Sequence, residues 1–179
     1  LERGAQGAVV SFNFVLTQQN AEKSYGYGAE WEAEWNATER TTVFLALGLL
    51  ESHIEATSIP TLAGGRDQAV APALTYSLGG EWRPLAALAL RARVSGQSES
   101  YYDSFHNGKN DGYAVVDTSL SWQPGPWRLA LWVRNLFDTD YGVKSLYFGD
   151  YNSATFMPDR HFEQLGPPRE VGVTITRFF

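Results

Sequence analysis

Residues 25–36, YGYGAEWEAEWN, set Tyr27, Ala29, Trp31, Ala33 and Trp35 on one series of alternate positions and Glu30, Glu32 and Glu34 on the other. A helix, at about 3.6 residues per turn, would mix the two series, whereas a strand sends them to opposite faces. The same period of two runs along the chain. At 9–16, Val10, Phe12, Phe14 and Leu16 alternate with Ser11 and Asn13, and comparable alternation marks 41–55, 71–83, 88–102, 112–123, 127–137 and 169–179. Eight strands are expected, and no segment shows a convincing helical period.

The connections between these strands alternate in length. Those at 36–40, 83–87 and 123–126 are tight, while 56–70, 103–111 and 138–168 are long and polar. Tight turns at one end and long loops at the other are the pattern of a transmembrane β-barrel, with turns in the periplasm and loops outside the cell. The last loop would be too long for a compact soluble domain but is ordinary for such a barrel. Trp35, Trp82, Trp122 and Trp127 flank the tight turns, and Tyr25, Tyr101, Tyr102, Tyr113 and Tyr141 lie at the loop ends, as two interfacial aromatic girdles require.

Charge then assigns the faces. An arginine facing lipid at mid-membrane costs about 2 to 4 kcal/mol, so Arg91 and Arg93 should point into the lumen, with Leu88, Leu90, Ala92 and Val94 outward. The same rule turns Glu30, Glu32, Glu34, Glu81, Asp117, Arg128 and Arg134 inward, where opposite signs can pair across strands. The outward series is almost wholly apolar: Val43, Leu45, Leu47, Leu49, Leu74, Leu78, Leu120, Leu129, Leu131, Val133, Val171, Val173 and Ile175.

Composition removes several alternatives. In 179 residues there are 14 Lys and Arg against 20 Asp and Glu, giving a net charge of −6 with no basic stripe to follow a phosphate backbone, so no nucleic-acid partner is expected. The absence of cysteine excludes disulfides, thiolate metal sites and a thiol nucleophile. No run approaches the length of a spanning helix, and LERGAQGAVV lacks the pattern of a signal peptide. The chain does not begin with Met, and it reads as a piece of a longer protein.

The segment WRLALWVRNLFDTDYGV at 127–143, followed by a long loop and a final PPREVGVTITRFF, resembles the C-terminal end of TonB-dependent outer-membrane receptors. The matching features are the block Asn135, Leu136, Phe137, Asp138, then Tyr141, and the last strand opening at Pro168 and Arg169 and ending on Phe179. The Gly- and Glu-rich strand, turn and aliphatic strand at 25–55 are similar to the family as well. Arg177 departs from it, standing third from the end where the family tends to carry an aromatic residue.

The resemblance implies a barrel of about twenty-two strands, with an N-terminal plug in its bore and a short box that contacts TonB. This chain would be the last eight or so strands, residues 1–179, without the plug, so TonB would be met only through the missing N-terminal part. Receptors of this kind import iron siderophores, haem, cobalamin or sugars. The implied location is the outer membrane of a Gram-negative bacterium. The implied partners are outer-membrane lipid, a small-molecule ligand in the whole receptor, and the barrel-assembly machinery. For the last of these the signal would be Val171, Val173, Ile175 and Phe179.

Within the chain, YYDSFHNGKND at 101–111 and SLYFGDYNSATF at 145–156 mix aromatic and polar groups as ligand-binding loops do. Tyr101, Tyr102, His106, Tyr147, Phe148 and Tyr151 are the candidate ligand contacts. His53, His106 and His161 all fall at or beyond the outer strand ends, but no paired spacing marks them as metal ligands, and surface histidines with no common site are the favoured reading. Asp138, Asp140 and Asp150 lack the spacing of a calcium loop, and Ser104 and His106 have nothing to orient them for nucleophilic catalysis. LAGGR at 62–66 is too short for a phosphate cradle. No enzyme activity, cofactor or resident metal is expected.

Three alternatives remain open at this point. A complete eight-stranded barrel with a structural or adhesive role would also lack a plug. An outer-membrane hydrolase would need a convergent acid, base and nucleophile at the rim, and none is found. A soluble β-sandwich would turn its apolar faces inward.

Overall fold

The computed structural model describes residues 2–3, 9–11, 23–55, 64–148 and 160–179, and among these every regular element is a strand. Seven strands form one antiparallel sheet: β3 (Ser24–Thr38), β4 (Thr41–Ile54), β5 (Leu74–Leu85), β6 (Leu88–Gln97), β9 (Tyr113–Trp122), β10 (Trp127–Arg134) and β13 (Glu170–Arg177). Their order across the sheet is β13-β10-β9-β6-β5-β4-β3, so each strand lies beside the one that precedes it in this series. Three short pairs accompany the sheet: β1 (Glu2–Arg3) with β2 (Val9–Ser11), β7 (Ser100–Tyr101) with β8 (Lys109–Asn110), and β11 (Gly142–Tyr147) with β12 (His161–Leu165). Among the described residues β3 and β13 are free edges, and the sheet is an open wall, not a closed barrel.

Seven of the eight expected strands are those of the sheet. The first, expected at 9–16, is a strand at Val9–Ser11 paired with Glu2–Arg3, and its remainder, Phe14 and Leu16 included, lies outside the described residues. The strand expected at 88–102 ends at Gln97, and Ser100–Tyr101 turns away to pair with Lys109–Asn110. The loop expected at 138–168 contains the β11/β12 hairpin.

Register confirms the two faces. Leu45 stands opposite Leu78, Leu78 opposite Val94, Leu90 opposite Leu120, Leu120 opposite Leu131 and Leu131 opposite Val173, an aliphatic band running across six strands. One position along, Glu81 stands opposite Arg91, Arg93 opposite Asp117, and Arg134 opposite Glu170. The charged face is knitted by Arg93 and Asp117 at 2.7 Å, Arg134 and Glu170 at 3.4 Å, and Arg91 over the Phe44 ring at 4.8 Å. Glu81 takes Arg83 of its own strand, at 2.6 Å, in preference to Arg91 across from it.

Among the described residues, nothing covers the apolar face. Leu78 and Leu131 are about half exposed, Val171, Val173 and Ile175 about two-thirds, and Ile54 is the one buried apolar residue among those described. A soluble sandwich would fold such a face onto a second sheet, whereas a barrel offers it to lipid. The four tryptophans sit where girdle residues belong, beside the tight turns and on the apolar face. Trp82 pairs with Leu90, Trp122 with Leu88 and Leu129, and Trp35 with Val43.

The expected tyrosine girdle is different in the structure. Tyr25 stacks on Tyr27 at 6.0 Å, level with the outward row, but Tyr113 and Tyr141 pack on each other at 4.4 Å on the inward side, and Tyr101 and Tyr102 belong to the loops. Rings that can cover one another and a nearby cation have no need of the headgroup layer.

Candidate functional site

The three long connections meet above one end of the sheet, and a single buried arginine starts the assembly. Arg66, 7% exposed, sits in the β4/β5 connection, where Ile54 N–H donates to the Arg66 carbonyl at 2.7 Å. Its guanidinium donates to the carbonyls of Asp103 and His106 in the β6/β9 connection and lies over the Tyr101 ring at 4.2 Å. Burial pulls the guanidinium below its usual pKa, opposed by the neighbouring Tyr101 and Asp103. An arginine offers five donors in one plane and an apolar face, and so can hold several loop carbonyls and an aromatic ring together.

Residues 103–106 form a turn closed by one carboxylate. Asp103 Oδ1 accepts the backbone N–H groups of Phe105, at 2.8 Å, and His106, at 2.7 Å, while Oδ2 meets His106 Nδ1 at 2.7 Å. Burial alone would raise the Asp103 pKa. The two backbone N–H donors and the His106 side chain outweigh it, and the net shift is downward. His106, so held, stacks on Tyr147 of β11 at 3.8 Å.

Tyr147 brings the third connection in. It lies 5.2 Å from His161 of β12 and 6.1 Å from Tyr102, and Tyr102 stacks on His161 at 4.6 Å, so four rings from two connections form one cluster. Below them Ser145 Oγ donates to Asn110 Oδ1 at 2.7 Å, both residues buried. Burial, then Tyr147, Glu163 and Asp111, push the Tyr102 pKa up. Gly108 makes the close approach possible: a Cβ there would stand 2.4 Å from the Tyr102 ring and 3.0 Å from the Tyr147 hydroxyl.

Of the six candidate contacts, Tyr102, His106 and Tyr147 share this cluster. Tyr101 lies apart, between Arg66 and Lys109, whose Nζ is 4.7 Å from the ring. Phe148 is 66% exposed, and Tyr151 lies outside the described residues. The three histidines part company: His106 and His161 converge, while His53 packs on Tyr25 at 5.6 Å. Among the described residues no group of three or more His, Asp or Glu side chains is placed to hold a metal ion. What the cluster offers chemically is aromatic faces, a phenol donor and imidazole edges, a surface suited to binding.

Arg66, Asp103, Asn110, Ser145 and Gly108 were not singled out by sequence as site residues. LAGGR is too short for a phosphate cradle, and its arginine serves instead as a loop tie.

At the base of the third connection the Asn-Leu-Phe-Asp block forms a clasp. Asn135 and Asp138 both adopt left-handed backbone, φ 48° and 56°, which asparagine and aspartate tolerate best after glycine. The Asn135 side-chain amide donates to the carbonyls of Thr139, at 2.9 Å, and Pro167, at 3.1 Å, and its Oδ1 accepts Thr139 N–H at 2.9 Å. Its own N–H reaches Asp117 Oδ1 at 3.1 Å, and Asp138 Oδ1 accepts the N–H of Arg169 at 2.8 Å. The block thus ends β10 by turn chemistry and also ties the loop's exit back to its entry.

The family described as TonB dependent receptor-like, beta-barrel, matches residues 3–136. The ferric yersiniabactin uptake receptor FyuA of Yersinia pestis shares the fold with a TM-score of 0.74 at 23% identity, over 89% of this chain and 24% of that one. The siderophore receptor PiuA of Acinetobacter baumannii gives 0.69 at 17% identity, over 87% of this chain and 22% of that one. The ferric-catecholate import receptor Fiu of E. coli K12, in its open form, gives 0.60 at 17% identity, over 85% and 20%. The chain therefore spans a quarter or less of the length of these solved receptors. With the family match running over most of its length and the sheet reproducing the receptor wall, the chain belongs to the TonB-dependent receptor-like β-barrel family, whose members are outer-membrane receptors and not enzymes.

Proposed function

We propose that this chain is the C-terminal wall of a receptor that captures a scarce small-molecule nutrient, an iron-siderophore complex in first place, and imports it across the outer membrane when whole. One observation carries the reading. A wall with one apolar and one charged face ends in two connections joined by an aromatic cluster, Tyr102 and His106 with Tyr147 and His161, at the outer end, and a third connection is tied to them through Arg66. Aromatic and imidazole groups on loops held by a rigid scaffold are a usual way to bind a ligand. The solved relatives named for ferric yersiniabactin, siderophore and ferric-catecholate uptake support an iron complex as the ligand class.

In this reading residues 1–179 form only the barrel portion, the plug and the TonB-contacting box belong to the remainder of the protein, and uptake needs TonB. Val171, Val173, Ile175 and Phe179, all exposed on the outward face, form the end that the barrel-assembly machinery reads. Among the described residues β3 and β13 have no outer neighbour, and since an unpaired strand edge in lipid costs several kcal/mol for each unsatisfied backbone group, further strands of a larger barrel beside them are favoured over a closed eight-stranded one.

The test is growth of a siderophore-deficient Gram-negative host carrying the complete receptor gene, with single ferric siderophores as the iron source. Growth that is restored by one class of siderophore and lost on deletion of tonB supports the reading. Growth that is equal with and without the gene across all ferric siderophores overturns the iron assignment, and gene-dependent uptake that survives loss of TonB overturns the mechanism.

A further inference from the structure

On the outward face of the seven strands, among the described residues, one lysine or arginine interrupts the apolar series: Arg177, at the turn end of β13. Register places it opposite Trp127, in line with the Ile175 and Leu129 pair. Its guanidinium lies 5.3 Å from the Trp127 ring and 4.9 Å from the Phe179 ring, and no carboxylate among the described residues pairs with it. The other turn-end cations are engaged elsewhere: Arg83 with Glu81, Arg40 with the Pro84 carbonyl, and Arg128, on the inward face, over Phe178.

An unpaired guanidinium on a lipid-facing surface is costly unless it meets an anion or water at the interface. Ring contacts give the N–H donors of the group no oxygen acceptor, and these donors fit two phosphate oxygens side by side. The tight turns mark this end of the wall as the periplasmic one, where the membrane leaflet is built of phospholipid. We propose that Arg177, beside Trp127 and Phe179, binds the phosphate of a phospholipid in the periplasmic leaflet and so fixes β13 at that interface. The proposal rests on the outer-membrane reading above.

The experiment uses the complete receptor, extracted in mild detergent, mixed with phosphatidylglycerol or with diacylglycerol of the same chains, and examined by native mass spectrometry. Wild type should retain phosphatidylglycerol over diacylglycerol. Arg177→Gln should lose roughly tenfold of that retention, about 1.4 kcal/mol, while Arg177→Lys keeps part of it and Arg128→Gln on the opposite face leaves it unchanged. Equal retention by wild type and Arg177→Gln overturns the site. If Arg177→Gln does not assemble, the wild-type comparison still decides, since wild type holding both lipids alike overturns the proposal too. Preferential retention of lipid A over phosphatidylglycerol overturns the leaflet assignment and with it the site. A receptor that fractionates as water-soluble, without detergent, removes the outer-membrane reading itself, an outcome distinct from loss of this one lipid contact.

Discussion

Asn135 is 4% exposed, adopts φ 48° and satisfies three hydrogen bonds with one side chain, so little else fits its place. Alanine there leaves the Pro167 and Thr139 carbonyls and the Thr139 N–H without their partner and adds the strain of a positive φ, at a cost of about 2 to 4 kcal/mol. Urea titration of the complete receptor in lipid vesicles should show that loss for Asn135→Ala, and a wild-type midpoint would refute the clasp. Asp103 carries a pH-dependent counterpart. Its carboxyl pKa is lowered from the ordinary 3.8, so the tie it makes to Phe105 and His106 is fully present above the ordinary value and is lost as pH falls through the lowered one. Near-ultraviolet circular dichroism of the tyrosine cluster should therefore hold steady down to about pH 4 and change below it. In Asp103→Asn, which cannot ionise, that acid step should be absent. A step that persists in the variant would assign it to another carboxylate.

At the level of elements, the long strands were legible because a period of two kept up over eight to fifteen residues has few rivals. β3 and β4 lie where expected, and the tight turns expected at 36–40 and 83–87 are tighter still, at 39–40 and 86–87, while 123–126 connects β9 to β10 as expected. The β11/β12 hairpin was not legible. Its strands are six and five residues long, GVKSLY and HFEQL, too short for alternation to stand out within a polar stretch, and they are far apart in the chain. In the site, aromatic composition pointed to Tyr102, His106 and Tyr147, because rings and histidines in a loop are conspicuous in any sequence. Arg66 was hidden because its partners, the carbonyls of Asp103 and His106, are backbone atoms about forty residues away that no side-chain pattern encodes. That arginine should couple two connections. Arg66→Ala removes the donors and the ring contact, and hydrogen exchange at 103–107 should speed up by tenfold or more, roughly 1.4 kcal/mol of local stability. Arg66→Lys keeps one charge without the fork and should lie between the two. Unchanged exchange in Arg66→Ala would show that the Asp103 turn stands without the tie.

For the molecule as a whole, the decisive property is that, among the described residues, neither face of the wall is a core. A globular domain turns its main apolar face into a core, but here the aliphatic band across six strands is largely exposed, and the opposite face carries charges of both signs, Arg93 paired with Asp117 and Arg134 with Glu170. The chain is built for two different environments, and one pair of neighbouring positions can tell them apart. Ala130 and Leu131 are successive residues in the middle of β10. Ala130 faces Ser121 and Thr174 on the charged side, and Leu131 faces Leu120 and Val173 on the apolar side. An arginine at Leu131 would sit near mid-membrane in lipid and should cost about 2 to 4 kcal/mol, whereas one at Ala130 meets a polar lumen and should cost less than about 1 kcal/mol. The complete receptor refolded into vesicles and titrated with guanidinium chloride gives both values directly. Equal costs would mean that the two faces share one environment, as in a soluble sheet. A larger cost at Ala130 would invert the wall and place the charged series against lipid, which the register of Arg93 with Asp117 and of Arg134 with Glu170 argues against.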